Sequence, residues 1–213
     1  HSHLVERVVI ASSDKAYGPQ PTPFRESAPL QPHHPYEVAK ATQDLMTQSY
    51  GRVYGLPVVV TRCANYFGGW DFNWTRIIPA TIRSLYLGEP VVLRSDGRFT
   101  RDFLYIDDAV DIQLMLAERA TNDESIRGEA FNFSLEVDLE ILDLVNRIAE
   151  LMQVEANPQV NNDAKAEIRF MRVASDKARE QLGWMSAHDL DAALLKTIEW
   201  YRDHLAREPG ETT

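Results

Sequence analysis

Cysteine is almost absent. With Cys63 alone in 213 residues, an internal disulfide framework is excluded, and packing and hydrogen bonds must hold the fold. A reducing, cytoplasmic setting suits such a chain. No run approaches the ~18 consecutive apolar residues of a membrane helix, and no secretory leader is visible. A basic excess is missing too. Lys and Arg number 22 against 32 Asp and Glu, a formal net charge of −10. Such a surface repels nucleic-acid phosphates, so neither nucleic acid nor membrane is expected as a partner. One local basic pocket for a single phosphate ligand stays compatible with that balance. The 10 glycines form no glycine-rich phosphate loop, and there are no repeats or low-complexity tracts. No cluster has metal-ligand spacing; His33 and His34 read as loop residues. The sequence opens His1-Ser2-His3 rather than with Met, as expected of a processed, tagged or truncated chain.

What is present is ordinary for a soluble globular protein: 44% hydrophobic and 25% charged residues, enough for one sizeable core or one domain plus a small lobe. Leu4 to Ala11 ends in an apolar, β-branched run that reads as a buried strand. A Pro-rich loop follows from Pro19 to Pro35. Tyr36 to Tyr54 reads as a helix, with Pro35 at a first-turn position, Glu37 near its start and Gly55 at its end. Leu56 to Arg62 is a second buried strand. Strand, loop, helix and strand make one βαβ unit of a parallel sheet. Residues 63–75 read as a loop. Helices are expected over Thr75 to Leu87 with Pro79 inside, Asp107 to Ala120 with Asp107 as N-cap, Leu139 to Gln153, Ser175 to Leu182 and Asp189 to Leu205. Short strands are expected at Pro90 to Leu93, Phe103 to Ile106 and Ala130 to Phe133, and a polar loop at Asn157 to Asp163.

Three constellations carry chemistry. Tyr36 and Lys40, four apart, share one helix face, and an ammonium beside a phenol favours the phenolate, a usable base. Taken alone, this spacing is common on surface helices. Ser12-Ser13-Asp14-Lys15 closes a strand, and ligands of parallel sheets bind beyond the carboxyl ends of strands; alone, it reads equally as a solvated turn. Arg101-Asp102-Phe103-Leu104-Tyr105-Ile106-Asp107-Asp108 follows Ser95-Asp96-Gly97. Cys63, directly after a strand, reads as a small buried thiol. Trp184 and Trp200 read as core residues, and Trp70 and Trp74 as flanks of a pocket loop.

In order, VVIASSDKAYG, HPYEVAK, TRCANYFGG, WTRIIP, SDGRFTRDFLYIDD, EAFNFS and KAREQLGW resemble the extended short-chain dehydrogenase/reductase family of nucleotide-sugar epimerases and dehydratases. The resemblance covers nearly the whole chain. Ser-Asp-Lys-Ala-Tyr-Gly, with Lys15 where the dTDP-glucose enzymes carry Glu, is similar to the CDP-glucose 4,6-dehydratases. The fold this implies is α/β: the C-terminal part of a Rossmann-like parallel sheet plus a small α/β substrate-binding domain, the N-terminal dinucleotide-binding units missing. Residues 1–72 would be the Rossmann remnant carrying YxxxK. Residues 73–213 would bind mainly the nucleotide sugar, with segments near 100–134 returning to the sheet.

The activity implied is NAD-dependent dehydration of a nucleotide-diphosphate hexose. C4 is oxidised, water leaves from C5 and C6, and hydride returns to C6. The resemblance makes Tyr36 the C4 base and Lys40 the residue that holds the nicotinamide ribose. Ser13 bonds the C4 oxygen, Asp14 is the acid for the departing C6 hydroxyl, and Lys15 assists proton removal at C5. Cofactor contacts fall on Ser12, Tyr36, Lys40 and Cys63. Substrate contacts fall on Asn65, Ile77, Ile78, Arg94, Arg101 and Asn132, with Arg169 or Arg172 serving within Glu167 to Val173. Arg101 would pair with the diphosphate, since a guanidinium fork suits phosphate oxygens. Relatives dimerise through the YxxxK helix and the one before it, so a homodimer is expected of the complete enzyme. Alternatives are an epimerase or decarboxylase on a related sugar nucleotide, or a non-catalytic sugar-nucleotide-binding module. The family's G-x-x-G-x-x-G turn is absent. The expected outcome is therefore weak or undetectable NAD binding by this chain alone; isothermal titration returning low-micromolar affinity overturns it.

Overall fold

A computed structural model describes residues 5–163 and 168–207. Leu4, at the start of the expected first strand, and Glu167 lie outside the described residues. Strand β1 (Val8–Ala11) runs parallel to β2 (Val58–Cys63), and β2 is parallel to β7 (Ala130–Phe133), giving the order β1-β2-β7. Val9 pairs with Val59, and Thr61 with Phe131. Every residue of β2 is buried, as its central position requires. Of the two outer strands, β7 is buried and β1 only half-buried rather than fully so.

Helix α1 (Pro35–Tyr54) crosses between β1 and β2, which completes the βαβ unit. Its start is a capping box. His34 Nδ1 accepts from Tyr36 N–H, and the Glu37 carboxylate accepts from the His33 and His34 N–H groups at 2.9 and 3.1 Å. Both histidines are thus helix-start residues, in keeping with their reading as loop residues. Gly55, left-handed at φ 64°, ends the helix.

Two large apolar cores form, beside a small cluster of Tyr17, Phe24 and Val173. One lies against the sheet, where α3 (Ile106–Asn122) and α5 (Asp176–Leu182) cover Val59, Phe131 and Phe133. The other gathers α2 (Ile77–Leu87), α4 (Ile141–Met152) and α6 (Leu190–Arg207) around β4 (Val91–Leu93). Pro79 sits in the first turn of α2, where no N–H partner is needed. The N-cap of α3 is Tyr105, not Asp107. Asp107 lies in the first turn and helps by its charge alone.

Short strands escaped the sequence pattern. β3 (Asn65–Phe67) pairs in parallel with β6 (Phe103–Tyr105) inside the stretch expected to be loop. β5 (Thr100–Arg101) pairs antiparallel with β8 (Leu139–Glu140), and β9 (Pro158–Val160) joins β4 within the expected polar loop. Elements of two or three residues show no readable period. Trp184 follows α5 rather than lying in a helix; it packs edge-on against Phe133.

An ion pair ties the sheet to α1. Arg62 in β2 is 3% exposed and makes a bidentate pair with Asp44 of α1, Nε and a terminal nitrogen at 2.8 and 2.9 Å. Its other terminal nitrogen donates to the Tyr17 hydroxyl at 2.9 Å, which donates to Asn132 Oδ1 at 2.8 Å. Burial opposes the charge, and the Asp44 carboxylate outweighs it, holding the guanidinium above its ordinary range. Burial pushes the Tyr17 phenol up to about 12. Breaking a buried pair strands its partner charge, so Arg62→Met is expected to cost about 3–5 kcal/mol, against less for Arg62→Met with Asp44→Leu; urea unfolding of both variants measures the difference.

Candidate functional site

The strand-end turn is a short 3-10 helix, Asp14–Tyr17, opened by Ser13, whose hydroxyl oxygen accepts from the Lys15 N–H at 3.2 Å. Gly18 ends it at φ 70°, where a Cβ would lie 1.8 Å from the Gln31 carbonyl oxygen, so only glycine closes this turn. The turn opens into a cavity of about 960 Å³. Of the expected residues, Ser12, Ser13, Asp14, Lys15, Tyr36, Cys63, Asn65, Ile77, Ile78, Arg94 and Arg101 all line it.

The ionisable groups lie close together. Lys15 Nζ donates to Asn65 Oδ1 at 2.9 Å and stands 3.8 Å from Asp14 Oδ1, which also accepts from the Ser13 hydroxyl at 3.0 Å. Asp14 is 1% exposed, and its Oδ2 has no hydrogen-bond partner among the described residues. A buried carboxylate oxygen without a partner is costly, and cavities that receive a ligand are where such atoms persist. Tyr36 is exposed at the cavity mouth.

The helix α2 start has Arg76 as N-cap and no side-chain cap, which leaves the Ile77 and Ile78 end facing the cavity uncapped. Arg101 donates to the Thr100 and Arg169 carbonyls at 2.9 and 3.3 Å and lies over the Phe99 ring. Arg169 covers the same ring and pairs with Asp96 at 3.4 Å. The Arg172 carbonyl instead accepts from Phe24 N–H.

Two residues stand elsewhere. Lys40 does not line the cavity; its ammonium donates to the Ala11 carbonyl at 2.7 Å and to Gln43 at 3.4 Å. Asn132, expected to touch phosphate, is fully buried and does not line the cavity. Its amide accepts from Tyr17 and donates to the Phe24 and Ala174 carbonyls at 3.0 and 3.2 Å, so it is a structural residue of the sheet. Burial pushes the Cys63 thiol up to about 12, which keeps it protonated and poorly nucleophilic. Trp74 lines the cavity; Trp70, 76% exposed, packs on Trp200 instead.

Sequence reasoning missed Glu37, Tyr66 and Phe99 in the lining, and Asp102 behind it. Asp102 is fully buried. Its carbonyl accepts from both the backbone N–H and the side-chain amide of Asn65 at 3.2 and 3.1 Å. Burial pushes its carboxyl up to about 7; the Asp14 charge adds to this, while hydrogen bonds with Ser134, Phe103 and Val173 oppose it. The signal for it was a lone carboxylate directly before the buried strand β6.

Residues 1–133 match the family model described as the NAD dependent epimerase/dehydratase family, and the chain belongs to that family. The dTDP-glucose 4,6-dehydratase of Xanthomonas campestris pv. campestris is 27% identical over 208 residues, 92% of this chain and 57% of that protein. The human (Homo sapiens) dTDP-D-glucose 4,6-dehydratase is 29% identical over 214 residues, 96% of this chain and 59% of that protein. Among solved structures, the UDP-glucose 4-epimerase of Thermotoga maritima, determined with UDP-glucose, matches with a TM-score of 0.85 at 27% identity over 94% of this chain and 65% of that one. A dTDP-glucose 4,6-dehydratase of Streptomyces venezuelae, determined with NAD bound, matches with a TM-score of 0.83 at 27% identity over 95% of this chain and 62% of that one. The chain therefore spans less than two thirds of each of these relatives.

Asp102 generates a stability prediction. A carboxyl near 7 in the folded protein and near 3.8 unfolded binds more protons folded than unfolded across that window. Its contribution is fully present below about 3.8 and lost as pH rises through about 7. Asp102→Asn is expected to flatten the fall in unfolding free energy across that window, measured by urea titrations at successive pH values; an unchanged slope contradicts it.

Proposed function

We propose that this chain carries the catalytic and sugar-binding part of an NAD-dependent nucleotide-diphosphate-hexose 4,6-dehydratase, with CDP-glucose as its substrate. The observation that supports this most is the turn Ser13-Asp14-Lys15, which presents a hydroxyl, an unpartnered carboxylate oxygen and an ammonium to one cavity overlooked by Tyr36. Elimination of water needs a proton acceptor and a proton donor side by side, and this turn supplies both. Lys15 in place of a second carboxylate supports the CDP-sugar over the dTDP-sugar.

Tyr36 takes the proton of the C4 hydroxyl, and Ser13 orients the C4 oxygen. The ketone formed at C4 acidifies C5–H, and Asp14 and Lys15 flank the bond from which water leaves. Arg101 and the open start of α2 at Ile77 and Ile78 meet the negative diphosphate, and Arg94 lines the nucleotide base. NAD, when bound, would supply the acceptor for the C4 hydride and its later return to C6. Ser12 and Cys63, at strand ends that line the cavity beside Tyr36, would hold its nicotinamide end. Lys40, on the same helix, holds the β1 end through Ala11. The sheet-side residues to about 72 form the cofactor half, and residues 73–213 mainly the sugar half. Leu45, Met46, Val53 and Tyr54, exposed on α1, would be the contact face of a homodimer.

A 4-epimerase is the second reading, favoured by the fold match to the Thermotoga enzyme. It leaves the buried Asp14 carboxylate without a role, since epimerisation at C4 expels no hydroxyl. The test is incubation of the complete gene product with CDP-, dTDP- and UDP-glucose, reading a 4-keto-6-deoxy product by its absorbance in alkali. Product from CDP-glucose is expected, with a loss of about a hundredfold or more in Tyr36→Phe. No product from any of the three overturns the dehydratase reading, and product from dTDP-glucose alone overturns the CDP assignment.

A further inference from the structure

The hydrogen bonds around Lys15 and Asp14 have fixed directions. Asn65 is the reference point. Its Nδ2 donates to the Asp102 carbonyl at 3.1 Å, and a carbonyl only accepts. The amide orientation follows, with Oδ1 turned to Lys15 Nζ at 2.9 Å. Oδ1 has lone pairs alone, so Lys15 donates. Around Asp14 the neighbours are donors. Ser13 Oγ accepts from the Lys15 N–H, which leaves the hydroxyl proton to point at Asp14 Oδ1, and the Lys15 ammonium stands 3.8 Å from the same oxygen. Asp14 Oδ2 is buried, partnerless among the described residues, and belongs to a residue that lines the cavity.

Resting on the dehydratase reading, we propose that Asp14 is the base that removes the C5 proton and Lys15 the ammonium acid that protonates the leaving C6 hydroxyl. Asn65 is the positioning residue that holds Lys15 as a donor. This reverses the division of labour that the family resemblance implies. The C5–H bond breaks with its proton going to Asp14 Oδ2, and its electron pair forms the C5–C6 double bond. The C6–O bond breaks with its pair on oxygen, which takes a proton from Lys15 Nζ and departs as water. When the hydride held by reduced NAD returns to C6, Asp14 gives its proton back to C5. The proton Tyr36 took from the C4 hydroxyl matches in number the one Lys15 lost, so the cycle closes without net proton change.

The chain has five lysines, so ¹⁵N-lysine labelling gives a tractable spectrum of side-chain nitrogens. At pH 7.5 the Lys15 signal, assigned by its loss in Lys15→Met, is expected at an ammonium shift and to move in Asn65→Ala while the Lys177 and Lys196 signals stay. An amine shift for Lys15, or no response to Asn65→Ala, overturns the proposal. In the complete gene product, Lys15→Met and Asp14→Asn are each expected to lose about a hundredfold or more in product formation. With the C6 hydroxyl of the sugar replaced by fluorine, which leaves as fluoride without needing a proton, Lys15→Met is expected to recover to within about tenfold of the unaltered enzyme and Asp14→Asn is not. Recovery of Asp14→Asn in place of Lys15→Met also overturns it. A wild-type enzyme that forms no 4-keto-6-deoxy sugar sinks the dehydratase reading instead, and the labelled-lysine spectrum still decides whether Lys15 is held as a donor.

Discussion

The buried Arg62–Asp44 pair is the constraint on which the rest of the site depends. Arg62 lies next to the last residue of the central strand, where a charge is still shut off from water. It is tolerated because one carboxylate meets it bidentately and one phenol takes its remaining terminal nitrogen. Those partners come from different places: Asp44 from the helix that carries Tyr36, Tyr17 from the turn that carries Asp14 and Lys15. Apolar contacts alone would let α1 slide along β2. A two-pronged ion pair permits one register, so the strand-end turn and the mouth-lining tyrosine are set relative to one another by a group that does not itself line the cavity.

The same network explains why Asn132 is where it is. Its amide completes the hydrogen bonding of Tyr17 and holds the Phe24 and Ala174 carbonyls. It thereby fastens the Pro-rich loop and the segment before α5 to the end of β7. Asp102 plays the corresponding part on the other side of the cavity. Its carbonyl holds Asn65, while its carboxyl meets the Phe103 and Val173 N–H groups at 2.9 and 3.4 Å. Two polar anchors thus flank the cavity, one within β7 and one directly before β6.

Much of this was legible in the sequence because the relevant segments are long and periodic. The βαβ unit, α1 from Pro35 to its glycine stop, and β7 at Ala130–Phe133 follow from hydrophobic runs and cap residues. Asp107 was misplaced as a cap because an acid in the first turn and an N-cap look alike in one dimension. β3 was hidden because Asn65-Tyr66-Phe67 is too short to show alternation. Arg62 was the overlooked clue: an arginine inside an apolar strand demands a buried carboxylate, and Asp44, on the expected helix, was available to be that partner. Asn132 was misassigned because a buried amide and a ligand-binding amide carry the same letter. Its place in the fold decides which carbonyls claim it.

The charge balance bears on the site in a sense opposite to its net sign. At −10 overall the surface repels anions. Yet the cavity wall carries Lys15, Arg94, Arg101 and the open amide end of α2, while Asp14 is paired with a cation and Asp102, inclined toward its neutral form, stands behind the wall. A low-dielectric cleft focuses the field of its own lining more than that of a distant, salt-screened surface. The acidic exterior therefore sets solubility and disfavours polyanions, whose extended charge must face it, while a single diphosphate entering the cleft meets the positive lining at short range. Lys15 belongs to both parts of that field. Its charge adds to the positive lining, and the Asn65 amide fixes the direction of the same ammonium within the cavity wall.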